Sequence, residues 1–141
     1  MAKVTRKLGT AVLVVAASVA LTPAVVHAEP DSAGQKVTYT LTTAGPYEFQ
    51  LTYLVNQPAD KAAYNADAYA YLKKDTVTVA PDAPWVFETS LADPQWAYFA
   101  VSSTAKGGQA PPNAHCEILV GGQVAVVQDH PYSPRCQLSQ W

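Results

Sequence analysis

The side chains with the richest chemistry in this chain crowd into its last third. His115, Cys116, Asp129, His130 and Cys136 carry nitrogen, sulfur and oxygen donors, the set from which a zinc site is built. The spacing argues against metal, because no Cys-x-x-Cys or His-x-x-x-His pair occurs among them. The competing reading is a disulfide between Cys116 and Cys136, the only two cysteines. An oxidising compartment favours the disulfide.

Other reactive constellations are weaker. His115 sits at outward strand parity and His130 precedes Pro131, and no Gly-x-Ser-x-Gly elbow accompanies either. Asp82, Glu88 and Asp93 are close in sequence, but turns and outward strand positions account for them. Gly107-Gly108 and Gly121-Gly122 read as turn formers, because neither opens a helix as a phosphate cradle does. The expectation is a protein with no catalytic residues, no cofactor and no metal.

The compartment follows from the front of the chain. Lys3, Arg6 and Lys7 precede an apolar run from Leu8 to Leu21, and Val26-His27-Ala28 offers a signal-peptidase site. Residues 1–28 are therefore expected to be a signal peptide; the alternative is an uncleaved membrane anchor over residues 8–26. Residues 29–35 read as a short tether, and 36–141 as one domain. Formal net charge is −2 for the whole chain. The leader holds three of the nine cations and none of the eleven acids, so cleavage leaves −5. An acidic domain excludes nucleic acid as a partner, and membrane except through an uncleaved leader.

The elements that must position these residues are strands. Val37, Tyr39 and Leu41 alternate with Thr38, Thr40 and Thr42. Tyr47, Phe49, Leu51, Tyr53 and Val55 alternate with Glu48, Gln50 and Thr52. Period two with β-branched and aromatic residues predicts half-buried strands, and Ala44-Gly45-Pro46 predicts a hairpin between them. Residues near 59–66 are expected to form a helical turn, which Asp60 could cap, or a loop. Beyond it, a strand near 69–73 would turn at Lys73-Lys74-Asp75 into Thr76–Val79. Further strands are expected at 85–91 and 96–103, then a loop at 106–113. A two-residue Gly121-Gly122 turn would pair 118 with 125 and 116 with 127. That register puts Cys116, Ile118, Val120, Ala125 and Val127 on the core face. A last strand carries Cys136 and Leu138. Seven to eight short strands with little helix predict an all-β, antiparallel, immunoglobulin-like sandwich, with a small closed barrel as the alternative.

Three tryptophans and eight tyrosines remain to be placed. Tyr39, Phe49, Trp85, Phe87 and Ile118 are expected in the core. Tyr64, Tyr69, Tyr71 and Trp96 are a candidate contact surface for an apolar ligand or a partner protein.

The order Val37-Thr38-Tyr39, Leu51-Thr52-Tyr53, Pro84-Trp85, Cys116-Glu-Ile-Leu-Val-Gly-Gly122 and Cys136 resembles the extracytoplasmic domain of the mycobacterial membrane protein small (MmpS) family. The resemblance spans roughly residues 36–138. It implies a β-sandwich with a cysteine pair, Trp85 as a core anchor and Gly121-Gly122 as a hairpin turn. It further implies an accessory role beside an RND-type transporter that exports siderophores or envelope lipids. A free secreted binding module, antigen-like or carrying an envelope ligand, is the second expectation. The localisation expected on either reading is export to the cell envelope or medium.

Overall fold

A computed structural model of the chain describes residues 34–141. The expected leader and most of the tether lie outside the described residues. Among those described, no helix is long and apolar enough to cross a membrane.

Eight strands form two four-stranded sheets that face each other. β1 (Gln35–Thr42), β4 (Trp85–Leu91), β6 (Ala114–Val120) and β7 (Gln123–His130) form one sheet in the order β4-β1-β6-β7. β2 (Tyr47–Leu54), β3 (Leu72–Val79), β5 (Tyr98–Ser102) and β8 (Arg135–Gln137) form the other in the order β3-β2-β5-β8. Every strand pairing is antiparallel. The fold is the all-β sandwich that the alternation predicts, and neither sheet closes into a barrel.

The inner faces meet in an aromatic core. Tyr39, Phe49, Tyr53, Phe99 and Ile118 are each almost wholly buried. Two of the core tyrosines keep their hydroxyls satisfied, as buried polar groups must. Tyr39 donates to the Leu54 carbonyl of the opposite sheet at 2.8 Å, and Tyr53 donates to the Asp75 carboxylate. Cys116 on β6 and Cys136 on β8 form a disulfide with a Cα–Cα distance of 6.2 Å, and neither is exposed. The bridge therefore ties one sheet to the other.

Trp85 and Phe87 face inward but are only half-buried. β4 is an edge strand, so solvent reaches them from the open side of the sandwich. Their packing is still dense: Trp85 lies 4.9 Å from the Tyr53 ring and stacks on Phe99 at 5.2 Å.

Four expectations require correction. β1 and β2 are not a hairpin: the turn after Thr42 carries the chain from one sheet to the other, and each strand pairs elsewhere. Alternation sets which face a strand buries, not which neighbour it takes. Second, residues 73–75 are not a turn. A 3-10 turn at Ala68–Ala70 leads into one continuous strand, β3, paired residue by residue with β2 from Leu54↔Leu72 to Tyr47↔Val79. The charged trio is tolerated because β3 is an edge, where charges also discourage pairing with other chains. Third, Trp96 belongs to a 3-10 turn, Pro94–Trp96, whose start is capped by Asp93 accepting from Gln95 N–H at 3.0 Å.

The fourth concerns β6 and β7. Gly121 and Gly122 do make the turn, at φ of 59° and 82°, a backbone state that side chains disfavour. A bulge then shifts the register between Ile118 and Leu119, so Ile118 pairs with Val126 and Cys116 with Gln128. Val126, not Ala125 or Val127, packs against the core; Val127 is 42% exposed. One extra residue in a strand reverses the facing of all that follow.

Candidate functional site

The suspected zinc set is dispersed by the fold. Both cysteines are consumed in the disulfide. His130 Nδ1 accepts from the backbone N–H groups of Tyr132 and Ser133, at 3.1 and 2.9 Å, and so shapes the turn into β8. His115 stands on the outer face of the β4-β1-β6-β7 sheet between two carboxylates. Its Nδ1 is 2.7 Å from Asp129 and its Nε2 is 3.0 Å from Glu117. Hydrogen bonds that the charged ring donates to Glu117 and then Asp129 raise its pKa above the ordinary histidine value. Among the described residues, no cluster of three or more His, Cys, Asp and Glu side chains is arranged to hold a metal.

The four aromatic residues expected at a contact surface separate. Trp96 is buried, at 6% exposure. Tyr64 and Tyr71 are half-buried and lie 6.3 Å apart, with Tyr64 6.2 Å from Trp96. Trp141, which sequence reasoning overlooked, completes this cluster. Its ring sits 4.8 Å from Tyr98, 4.9 Å from Tyr64 and 5.8 Å from Trp96. Its indole N–H donates to the Trp96 carbonyl at 2.8 Å. Lys61, on the short helix α1 (Lys61–Ala66), lies 4.9 and 4.8 Å over the Trp96 and Trp141 rings. Asp60 caps α1 as expected, accepting from the Ala63 N–H at 2.7 Å. The helix and its aromatics thus close one end of the sandwich, which is why Leu54 is fully buried at an otherwise outward position. Only Tyr69 projects, at 72% exposure, with Lys74 Nζ 5.0 Å above its ring.

Lys74 also borders a concavity of the sheet surface. The outer face of β3-β2-β5-β8 carries a trough of about 310 Å³, lined by Gln50, Thr52, Lys74, Thr76, Ala100 and Ser102. Strand alternation supplies this composition: the odd residues of β2 fill the core and the even ones face out. The pairings Lys74↔Thr52, Thr52↔Ala100 and Ala100↔Arg135 set four residues in one row across the sheet. Small side chains at Thr52 and Ala100 form the floor, and a long cation stands at each end. The next row, Thr76, Gln50 and Ser102, adds hydroxyl and amide groups. Asp75 also borders the trough, but its carboxylate accepts from the Tyr53 hydroxyl and lies 3.7 Å from Lys73 Nζ. Burial, reinforced by that carboxylate, keeps the Tyr53 hydroxyl protonated well above the usual tyrosine range.

The two cations differ from the others. Lys36 pairs with Glu88 at 2.7 Å, and Lys73 with Asp75. Lys61 is held by two indoles and the Gln140 carbonyl, and Lys106 lies 5.3 Å over Tyr47. Lys74 has only the exposed Tyr69 ring, and Arg135 makes no ion pair among the described residues. The sequence pattern places Lys74 in a turn and assigns Arg135 no role. The sequence signal that could have found them is weak: an outward-parity cation on each of two strands.

Comparison with known proteins gives a consistent result. The Rv2576c beta-sandwich domain family matches residues 39–136. Uncharacterized protein Rv2576c of Mycobacterium tuberculosis is 38% identical over 121 residues, which cover 84% of this chain and 75% of that protein. Uncharacterized protein Mb2606c of Mycobacterium bovis matches to the same extent. No solved structure matches. The resemblance to the MmpS family is thereby corrected: the family matched is that of Rv2576c. The residues behind that resemblance, an inward Trp85, the Gly121-Gly122 turn and a cysteine pair across two sheets, are what any small clipped sandwich needs. They did not discriminate between families.

Proposed function

This chain belongs to the Rv2576c beta-sandwich domain family, and on that premise we propose that it is a non-enzymatic binding module working in an oxidising compartment outside the cytoplasm. Its ligand docks on the outer face of β3-β2-β5-β8. The transporter partnership rested on the MmpS resemblance and is withdrawn with it, so the expected secreted binding module is the reading retained. One observation carries the proposal: Lys74 and Arg135, both without a carboxylate partner among the described residues, flank a small-residue floor on a rigid sheet. The floor of this row is a preorganised platform, because β2 and β5 are fixed by ladder bonds on both sides. The disulfide supports the compartment, since a buried bridge persists where thiols are oxidised.

The test blocks the floor. Ala100→Trp fills the trough from an outward position without entering the core. Labelled wild-type protein is expected to be retained on isolated cell envelope of the host, and Ala100→Trp to pass through with an unchanged melting temperature. Equal retention of the two would refute the assignment of this face. Sequencing of the exported protein should read from Glu29; a cytosolic form with two free thiols would refute the compartment.

A further inference from the structure

Resting on the reading of this face as the ligand platform, we propose that the trough binds an acidic sugar through its carboxylate, a hexuronate unit held between Lys74 and Arg135. The two cations stand three strand steps apart, about 14 Å between backbones at ~4.8 Å per step. Lysine and arginine side chains are long enough to extend over the Thr52 and Ala100 floor from either side of that row, so a single small ring can meet both. The trough volume, about 310 Å³, is at the lower end for small-molecule sites and excludes a long polymer from full enclosure.

The chemistry of the walls selects the ligand. Arg135 offers the planar fork that grips a carboxylate through two parallel hydrogen bonds. Lys74 offers a point charge held in place by the Tyr69 ring. Gln50, Thr52, Thr76 and Ser102 offer donors and acceptors at outward positions, suited to a ring of hydroxyls. A purely apolar ligand would leave these groups stripped of water and unpaired, which is costly.

Charge narrows the choice further. The domain is acidic overall, while the Asp75 carboxylate is turned away from the trough to the Tyr53 hydroxyl and Lys73. That field repels an extended polyanion wherever it runs beyond the two cations, while a carboxylate lying between them is accommodated by the local pair. Screening leaves the pair dominant, because the Debye length is about 8 Å at physiological salt.

The experiment is a titration of the disulfide-bonded protein with glucuronate, glucose and glucose 6-phosphate, followed by amide shifts in the NMR spectrum. Glucuronate is expected to move the amides of Thr52, Ala100 and Ser102, and glucose to leave them in place. Lys74→Ala and Arg135→Ala are each expected to weaken binding about tenfold, the effect of losing one charge-assisted bond. Both positions are exposed, so an unchanged remainder of the spectrum verifies the fold. Equal response to glucose and glucuronate, or tighter binding of glucose 6-phosphate, would overturn the carboxylate assignment. So would full affinity in the double variant. If no sugar binds while Ala100→Trp still abolishes envelope retention, the ligand class falls and the binding face stands. If retention is also unaffected, both fall.

Discussion

Removing the disulfide by Cys116→Ala together with Cys136→Ala should separate the cross-link from everything else the cysteines do. The bridge spans a sequence separation of 20 residues, enclosing the β6–β7 hairpin and the run into β8. Loop-closure entropy for a chain of that length amounts to about 3 kcal/mol at 25 °C. Both cysteines are wholly buried, so alanine adds a small cavity term, while serine would add two buried hydroxyls seeking partners. The alanine pair is therefore expected to lose about 3–4 kcal/mol and the serine pair about 1–3 kcal/mol more. For a domain of this size the alanine loss corresponds to a fall in melting temperature of roughly 12–20 °C. Urea unfolding measured by tryptophan fluorescence provides the free energy. The wild type in reducing agent serves as the matched control, since it lacks the bond but keeps the side chains. An alanine pair within 1 kcal/mol of oxidised wild type would sink the reasoning. It would mean that the two sheets hold together without the clip.

Three further outcomes are expected. Trp85→Ala removes a half-buried ring packed on Tyr53 and Phe99 and should cost about 2–4 kcal/mol in urea unfolding, against near-zero for the exposed neighbour substitution Val86→Thr. Trp141→Ala should destabilise by about 2–3 kcal/mol and shift the remaining tryptophan emission to longer wavelength, because Trp96 loses the ring that covers it; an unshifted spectrum would contradict the packing. His115 gains its carboxylate partners on folding, so its folded pKa is raised and its contribution is fully present below the unfolded value of ~6.5. That contribution disappears as pH rises through the folded pKa, so the stability gap between wild type and His115→Gln should narrow with alkalinity; an NMR titration midpoint at or below ~6.5 would refute it.

Much of the fold was legible in local pattern. Val37, Tyr39 and Leu41 on β1, and Phe49, Leu51 and Tyr53 on β2, all point inward as period two requires. Asp60 caps its helix. The partnering was not legible. Nothing local to Thr43-Ala44-Gly45-Pro46 distinguishes a hairpin from a crossing between sheets. The bulge that turns Val127 outward has no signature in a run of Val, Ala, Val and Val, where every register offers an apolar side chain to the core. Lys73-Lys74-Asp75 reads as a turn by composition and proves to be mid-strand, because an edge position leaves charges solvated while their backbones pair.

The candidate site shows the same division. Lys74 and Arg135 are far apart along the chain, and no spacing rule connects them. They share a row only because β2 and β5 lie between β3 and β8. Sequence alone determined the strand character of the segments, the faces most of them bury and the pairing of two cysteines, all of which follow from the chemistry of a residue and its near neighbours. Tertiary structure decided which strands meet, where the register slips, that Trp96 is covered by Trp141, and which charges converge. Those outcomes depend on the arrangement that best buries the aromatic rings while closing the backbone hydrogen bonds, a property of the whole chain and not of any segment within it.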